Sequence, residues 1–303
     1  MIEFRRFGKR FGTVVAVDAL DLRVSAGEVV ALLGPNGSGK TTALKAVAGL
    51  LRPSSGEVLV DGQPAEQPEA RRRLSYLPQK VAFPDSLSGE EVLSFYRRLR
   101  GVAAERVGEV LRFAALNGAG ARAVGTYSGG MTQRLGLAVA MVADSPLLLL
   151  DEPTAALDAE GLQAFFGLVE RHRRDGRTVL FTSHQLGDVE RLVDRFAILV
   201  GGRLVALLTS AELATRLADR GALRLRLGRE PEGLLEALRA RLPAARREGD
   251  ELVFPGAAAE RPAVLDEVRR RGAEIAGLTT EEGRLDVLFR ELVEESRVGK
   301  ESR

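Results

Sequence analysis

Eight residues constrain this chain more than any other segment: Gly34-Pro35-Asn36-Gly37-Ser38-Gly39-Lys40-Thr41. They fit the pattern G-x-x-x-x-G-K-[ST], and their flanks fit it as well. Ahead of them, residues 28–33 (E-V-V-A-L-L) have the length and apolar character of a buried strand; behind them, residues 41–51 place Leu44, Val47, Ala48 and Leu51 at helical spacing. Glycine opens backbone dihedrals closed to other residues, so in a strand–loop–helix successive N–H groups converge on phosphate oxygens at the helix N-terminus. Lys40 is then placed to reach the β- and γ-phosphates of a nucleotide, and Thr41 to offer its hydroxyl to Mg²⁺. A glycine-rich turn without a ligand is the competing reading. At average residue usage a chain of 303 residues meets the bare pattern by accident roughly once in a hundred.

A second segment, Leu147-Leu148-Leu149-Leu150-Asp151-Glu152, is an apolar run of strand length ending in two carboxylates. Such a run suits a parallel strand buried on both faces, delivering its acids to the C-terminal edge where ligands bind. Asp151 is placed to hold Mg²⁺ through its water shell, and Glu152 to polarise an attacking water as general base. Taken alone, a leucine run followed by acids is an ordinary strand end. Its position a domain's length after the phosphate loop gives it meaning.

Between the two lies Tyr127-Ser128-Gly129-Gly130-Met131-Thr132-Gln133-Arg134, opening a helix expected to run to about Ala143. A Ser hydroxyl and glycine N–H groups at a helix N-terminus form another anion site. Ser-Gly-Gly-x-x-Gln-Arg just ahead of the acidic strand resembles the signature of ATP-binding cassette (ABC) ATPases. Tyr127 and Met131 depart from its commonest form, Leu-Ser-Gly-Gly-Gln, which removes the side chain of the last Gln and keeps the phosphate-facing atoms. The resemblance implies that two cassettes pair head to tail, each signature (Ser128, Gly129, Gly130) closing on ATP held by the partner's phosphate loop.

The same resemblance assigns the other elements. ATP would be bound by Gly34, Asn36, Gly37, Ser38, Gly39, Lys40, Thr41 and Thr42, with Phe11 stacking on adenine; Phe7 is the nearest competitor for that stack, and a core position in the first hairpin is the alternative for Phe11. Gln79, in Tyr76-Leu77-Pro78-Gln79, resembles the loop glutamine that senses Mg²⁺ and the γ-phosphate and passes motion to a membrane partner. Asp158 matches the loop joining the two sites across the dimer. His184, after the strand at residues 178–182, matches the switch histidine that contacts the γ-phosphate. The chain has two histidines; His172, in E-R-H-R-R, is read as surface helix. Catalysis would thus fall to Glu152, His184 and Gln79, and Mg²⁺ to Thr41, Gln79 and Asp151.

The expected fold is α/β: a P-loop ABC ATPase domain with a RecA-like core, an antiparallel β subdomain and a helical subdomain, followed by a small C-terminal α+β domain. Residues 2–33 read as strands covering the nucleotide, residues 86–125 as a helical insert (90–99 and 105–115), and the alternation after Asp151 (helix 161–174, strand 177–182, helix 185–192, strand 195–200) as a parallel, helix-covered sheet. The cassette is expected over residues 1–218 and the accessory domain over 219–296, the latter with strands at 222–227, 251–254 and 273–278 and helices at 231–242 and 261–271, in a ferredoxin-like arrangement. An amphipathic helix at 280–295 carries Leu285, Leu288, Phe289, Leu292 and Val293, with packing favoured over docking; residues 297–303 form a flexible tail.

Composition bounds the setting. A formal charge of +2 is near balance, so abundant Arg rather than a nucleic-acid-binding surface sets the basic pI, and Arg71-Arg72-Arg73 reads as a solvated helix face. The chain contains no Cys, so it forms no disulfide and offers no thiolate ligand. No secretory leader is evident, and no apolar stretch approaches the roughly 20 residues of a spanning helix. The expected location is cytoplasmic, peripheral on the inner face of the cell membrane, with a membrane-spanning permease and a second ATPase subunit as partners and no nucleic acid. Residues 71–79 (R-R-R-L-S-Y-L-P-Q) and 127–139 resemble ABC-2 type ATPases, in particular those serving copper-site assembly in nitrous oxide reductase, with periplasmic maturation partners reached through the permease; there Glu stands at the position of Gln79. Exporter ATPases for drugs, lipids or polysaccharides share the pattern. A soluble ABC ATPase acting on ribosomes or DNA is the alternative of another class, although such proteins usually carry two cassettes or a long coiled-coil insertion.

Overall fold

The computed structural model describes residues 1–155, 157–184, 192–281, 283, 287–292 and 294. The chain divides into two compact units, Met1–Ser210 and Ala211–Arg303.

The first unit opens with a hairpin, β1 (Ile2–Phe11) and β2 (Val14–Val24), whose tip sets Phe11 opposite Val14. Next come β3 (Val29–Leu33), α1 (Lys40–Val47), β4 (Ser55–Val60), β5 (Gln63–Pro64), α2 (Pro68–Arg72) and β6 (Leu74–Leu77). The helical insert supplies α3 (Gly89–Leu99) and α4 (Arg106–Phe113). Ser88 caps α3 in a reciprocal box with Glu91, which explains the helix start one residue before the expected Glu90. Then follow α5 (Gly129–Val142), β7 (Leu147–Leu150), α6 (Ala159–Arg174), β8 (Thr178–Ser183), β9 (Arg195–Val200) and β10 (Arg203–Thr209).

Among the described residues these strands form an antiparallel sheet, β2-β1-β4-β5, and a six-stranded sheet, β10-β9-β3-β8-β7-β6. The second is parallel from β9 to β6. Its interior strands β3 and β7 are buried at every residue, as their unbroken apolar runs require when both faces are covered. One core joins the two sheets: Ile2, Phe4 and Phe7 of β1 share it with Leu44 and Val47 of α1, Leu149 of β7 and Leu180 of β8. Register then fixes the functional edge. Leu33 of β3 pairs with Ser183 of β8, and Leu150 of β7 pairs with Phe181. Gly34, Asp151 and His184 therefore leave the sheet side by side.

The sheet is not wholly parallel as expected, because β10 adds an antiparallel edge strand. Its cause is local: Gly201 and Gly202, at φ 56° and 79°, make the two-residue turn that returns the chain on β9. His172 is also not on the surface. It falls on the buried side of α6 with Phe165 and Leu168, and its Nδ1–H donates to Leu168 O at 3.0 Å. The helix expected at 185–192 lies, apart from Leu192, outside the described residues.

In the second unit, α7 (Ser210–Ala218) begins at the boundary and leads to β11 (Ala222–Arg229), α8 (Leu234–Arg239), β12 (Arg246–Glu248), β13 (Glu251–Pro255), α9 (Arg261–Arg270) and β14 (Glu274–Glu281). The order β12-β13-β11-β14 with antiparallel neighbours, built as β-α-β-β-α-β, is the ferredoxin-like arrangement. Leu223, Leu225 and Phe254 of the sheet pack with Leu234, Leu238 and Val268 of the helices. Helix α8 starts later than expected because Gly233 takes a left-handed φ of 71° ahead of it. Strand β14 continues through Thr280 and Glu281, where a helix was expected, because both pair with β11. Residues 287–292 are helical, with Leu288 and Leu292 buried; Leu285, Val293 and the tail lie outside the described residues.

Candidate active site

The phosphate loop leaves β3 through Gly34 at φ 151° and enters α1 through Gly39 at φ 98°. Only glycine fits either position. A Cβ on Gly34 would stand 2.0 Å from Leu199 O, and one on Gly39 would stand 2.6 Å from Ala16 O. The loop's crown points outward: Asn36 is exposed, and Gly37, at φ 80°, has open space where a Cβ would lie. Thr42 is half-buried in the first turn of α1, and Ser38 is buried with its Oγ unpartnered. Lys40 Nζ donates to Gly34 O at 2.8 Å and Pro35 O at 3.2 Å and stands 3.6 Å from Glu152 Oε1. Burial pulls this ammonium below the ordinary lysine range, and Glu152 opposes the shift.

Asp151 is fully buried at the end of β7. Its Oδ1 accepts from Thr41 Oγ1 at 2.9 Å and from Thr182 Oγ1 at 2.8 Å, while Oδ2 is buried without a partner. Burial pushes its carboxyl up, against the two threonine hydrogen bonds. The hydroxyl of Tyr76 lies close enough to this carboxyl that burial and the Asp151 charge push the phenol up. A buried carboxylate oxygen lacking a donor, beside a threonine hydroxyl, is a donor set suited to a hard divalent cation. The open crown and the glycines, which exclude any side chain, suit a phosphate chain.

Glu152 adopts φ 47°, a conformation costly for a non-glycine residue. Its N–H donates to Thr182 Oγ1 at 2.7 Å, so Thr182 accepts from Glu152 and donates to Asp151. His184 Nδ1–H donates to Glu152 Oε2 at 2.7 Å from a half-exposed position. Lys40, Thr41, Asp151, Glu152 and His184 thus form one connected group.

The remaining expected residues are held elsewhere by local contacts. Gln79 is exposed just past β6, whose last residue, Leu77, pairs with Leu150 of β7. Phe11 is half-exposed at the hairpin tip with Lys9 Nζ 5.2 Å above its ring, whereas Phe7 is fully buried; of the two, only the Phe11 ring is open to a stacking partner. Ser128 caps α5, its Oγ accepting from Met131 N at 3.2 Å, and Gly129 beside it is exposed and Gly130 half-buried. Tyr127 turns inward to donate to Ala119 O at 2.8 Å. Asp158 caps α6 through Gly161 N at 2.9 Å and lies 3.4 Å from the buried Arg134 of α5.

Two members of the group were not foreseen. Thr182 hides within an apolar strand, and its only signal was a polar residue immediately before the Ser183-His184 pair. Tyr76 was noted only as part of the segment around Gln79.

A family described as "ABC transporter" matches residues 17–155. The doxorubicin resistance ATP-binding protein DrrA of Mycobacterium tuberculosis is 38% identical over 221 residues, 71% of this chain and 66% of the relative, so the match spans just under two thirds of that protein. The daunorubicin/doxorubicin resistance protein DrrA of Streptomyces peucetius is 39% identical over 232 residues, 75% of this chain and 70% of the relative. An ATP-binding cassette solved as a dimer in a post-hydrolysis state with ADP and Pi superposes with a TM-score of 0.64 at 27% identity, covering 69% of this chain and 99% of that one.

Proposed function

Because this chain belongs to the ATP-binding family of ABC transporters, we propose that it hydrolyses ATP to drive a separate membrane permease. The observation that carries the reading is the connected group Lys40–Glu152–His184 with Thr41–Asp151–Thr182 at one sheet edge. Lys40 and the loop N–H groups bind the β- and γ-phosphates. Glu152 accepts the proton of the attacking water, and the water oxygen bonds to the γ-phosphorus as the bond to the β-phosphate oxygen breaks, giving ADP and phosphate. His184 holds the Glu152 carboxylate, and Thr182 holds its strained backbone. Thr41, Asp151 and Gln79 would hold Mg²⁺, which when bound neutralises charge on the phosphate oxygens. Phe11 offers its ring to the adenine.

A head-to-tail pair of chains completes each site with Ser128, Gly129 and Gly130 of the second copy, and Asp158 joins the two sites. The dimeric state of the ADP-bound relative supports this reading. No described helix is long and apolar enough to cross a membrane. In this reading a separate permease subunit supplies the spanning part, and this chain sits on the cytoplasmic face. The first unit, to Ser210, acts as the cassette, and the second, from Ala211, as an accessory domain.

For the cargo, the drug-resistance names of the relatives support export of an organic compound. Service to nitrous oxide reductase copper-site assembly is the second reading, favoured by residues 71–79 and 127–139; with no Cys in the chain, copper would be handled by the permease or periplasmic partners. Affinity capture from gently solubilised native membranes tests the whole. Recovery of a polytopic permease with ATP turnover is expected, and its companions report the cargo. Ribosomes or nucleic-acid proteins without a permease would overturn the reading.

A further inference from the structure

The second unit holds a cavity of about 610 Å³ that the nucleotide chemistry of the first unit does not use. Ligand pockets fall between about 300 and 1,000 Å³, so the space suits a small organic molecule. Leu223, Phe254 and Val264, all buried, give it apolar walls between the segment after α8 and the first turns of α9.

Its polar lining is unbalanced. Arg241, Arg261 and Arg270 face two carboxylates, Glu260 and Glu267. Glu267 is buried and already saturated: Arg241 stands 3.1 Å from it, Arg270 2.9 Å and Arg271 2.8 Å. One guanidinium would neutralise that carboxylate. Two more, Arg241 and Arg270, gather on it at the rim of the cavity, their side chains 67% and 64% exposed. Arg261 adds a guanidinium whose Nη2 donates to Ala218 O at 3.1 Å while its buried Nε has no partner. Surplus guanidinium donors beside apolar walls complement a planar anionic group on an apolar body.

We propose that this cavity binds a small organic anion, an apolar body carrying a single carboxylate, sulfonate or phosphate, which makes the accessory domain a ligand-binding module in its own right. The test uses the full chain with excess ADP and Mg²⁺ present, titrated with the fluorescent anion anilinonaphthalenesulfonate and with its uncharged counterpart N-phenylnaphthylamine. Two variants are compared. Arg241→Ala with Arg270→Ala removes surplus charge and leaves Arg271 on Glu267. Ala263→Trp, at an exposed position of α9 lining the cavity, fills the space without replacing a member of an ion pair.

The expected result is one saturable site for the anion, weakened about tenfold or more by the arginine changes and lost in Ala263→Trp. The uncharged probe binds more weakly and is indifferent to the arginines. Equal affinity of the anion for all three chains, or binding of the uncharged probe as tight as that of the anion, would overturn the proposal.

Discussion

Thr182 offers the sharpest test of how the site is held. It is fully buried at the end of β8, where its hydroxyl accepts from Glu152 N at 2.7 Å and donates to Asp151 Oδ1 at 2.8 Å. Thr182→Val keeps the volume and removes both bonds. The Glu152 N–H is then left buried without an acceptor, at about 1–3 kcal/mol, and a carboxylate loses a donor worth about 1.5–3 kcal/mol. Asp151 retains only Thr41, and its Oδ2 is already unpartnered. The sum is a destabilisation of about 2.5–6 kcal/mol. Thr182→Ser keeps the hydroxyl and loses one methyl group, costing about 1 kcal/mol. Urea unfolding followed by circular dichroism reads both, and ATP turnover should fall in the valine variant alone, because the φ 47° backbone that aims Glu152 loses its anchor. If the valine variant unfolds within about 1 kcal/mol of the native chain, or behaves like the serine variant, the relay through Thr182 does not hold the site.

Other perturbations follow from the same geometry. Burial raises the Asp151 pKa above 3.8, so between that value and its folded pKa the native state binds more protons and stability falls as pH rises; Asp151→Asn should therefore leave the nucleotide-free chain as stable or more so at pH 7 while abolishing the melting shift that Mg²⁺ with ATP produces. Burial lowers the His172 pKa below 6.5, so there the unfolded state takes up protons first and stability falls as pH drops through and below 6.5; in His172→Phe, that part of the acid sensitivity in a pH series of thermal melts should disappear. Gly39→Ala must adopt φ 98° with its Cβ 2.6 Å from Ala16 O, costing at least about 1–3 kcal/mol and most of the ATP affinity, as calorimetry would report.

Much of the first unit could be read in advance because its elements announce themselves locally. The phosphate loop combines a strand, obligatory glycines and a helix, and the leucine run of β7 has no plausible home but a covered parallel strand. What escaped was set by partners distant in sequence. Thr182 looks like any strand threonine until register brings it beside Asp151, and the burial of His172 depends on the sheet beneath α6, which its arginine-rich surroundings conceal. The polar β12 has no hydrophobic pattern and exists because Gly249 and Asp250 return it onto β13. The edge strand β10 was legible in principle, since the Gly201-Gly202 pair is a hairpin signal. The ferredoxin-like order was reachable because its strands and helices alternate in separate, countable segments.

The central claim is that Glu152 acts as the base in a site completed by a second copy of the chain. Light scattering and turnover of Glu152→Gln, in Mg²⁺ with ATP and with the permease added for the rate, test it together. The expected result is twice the chain mass with ATP and turnover reduced about 10²-fold or more. Native turnover in that variant, or a single-chain mass with ATP demonstrably bound, would contradict it.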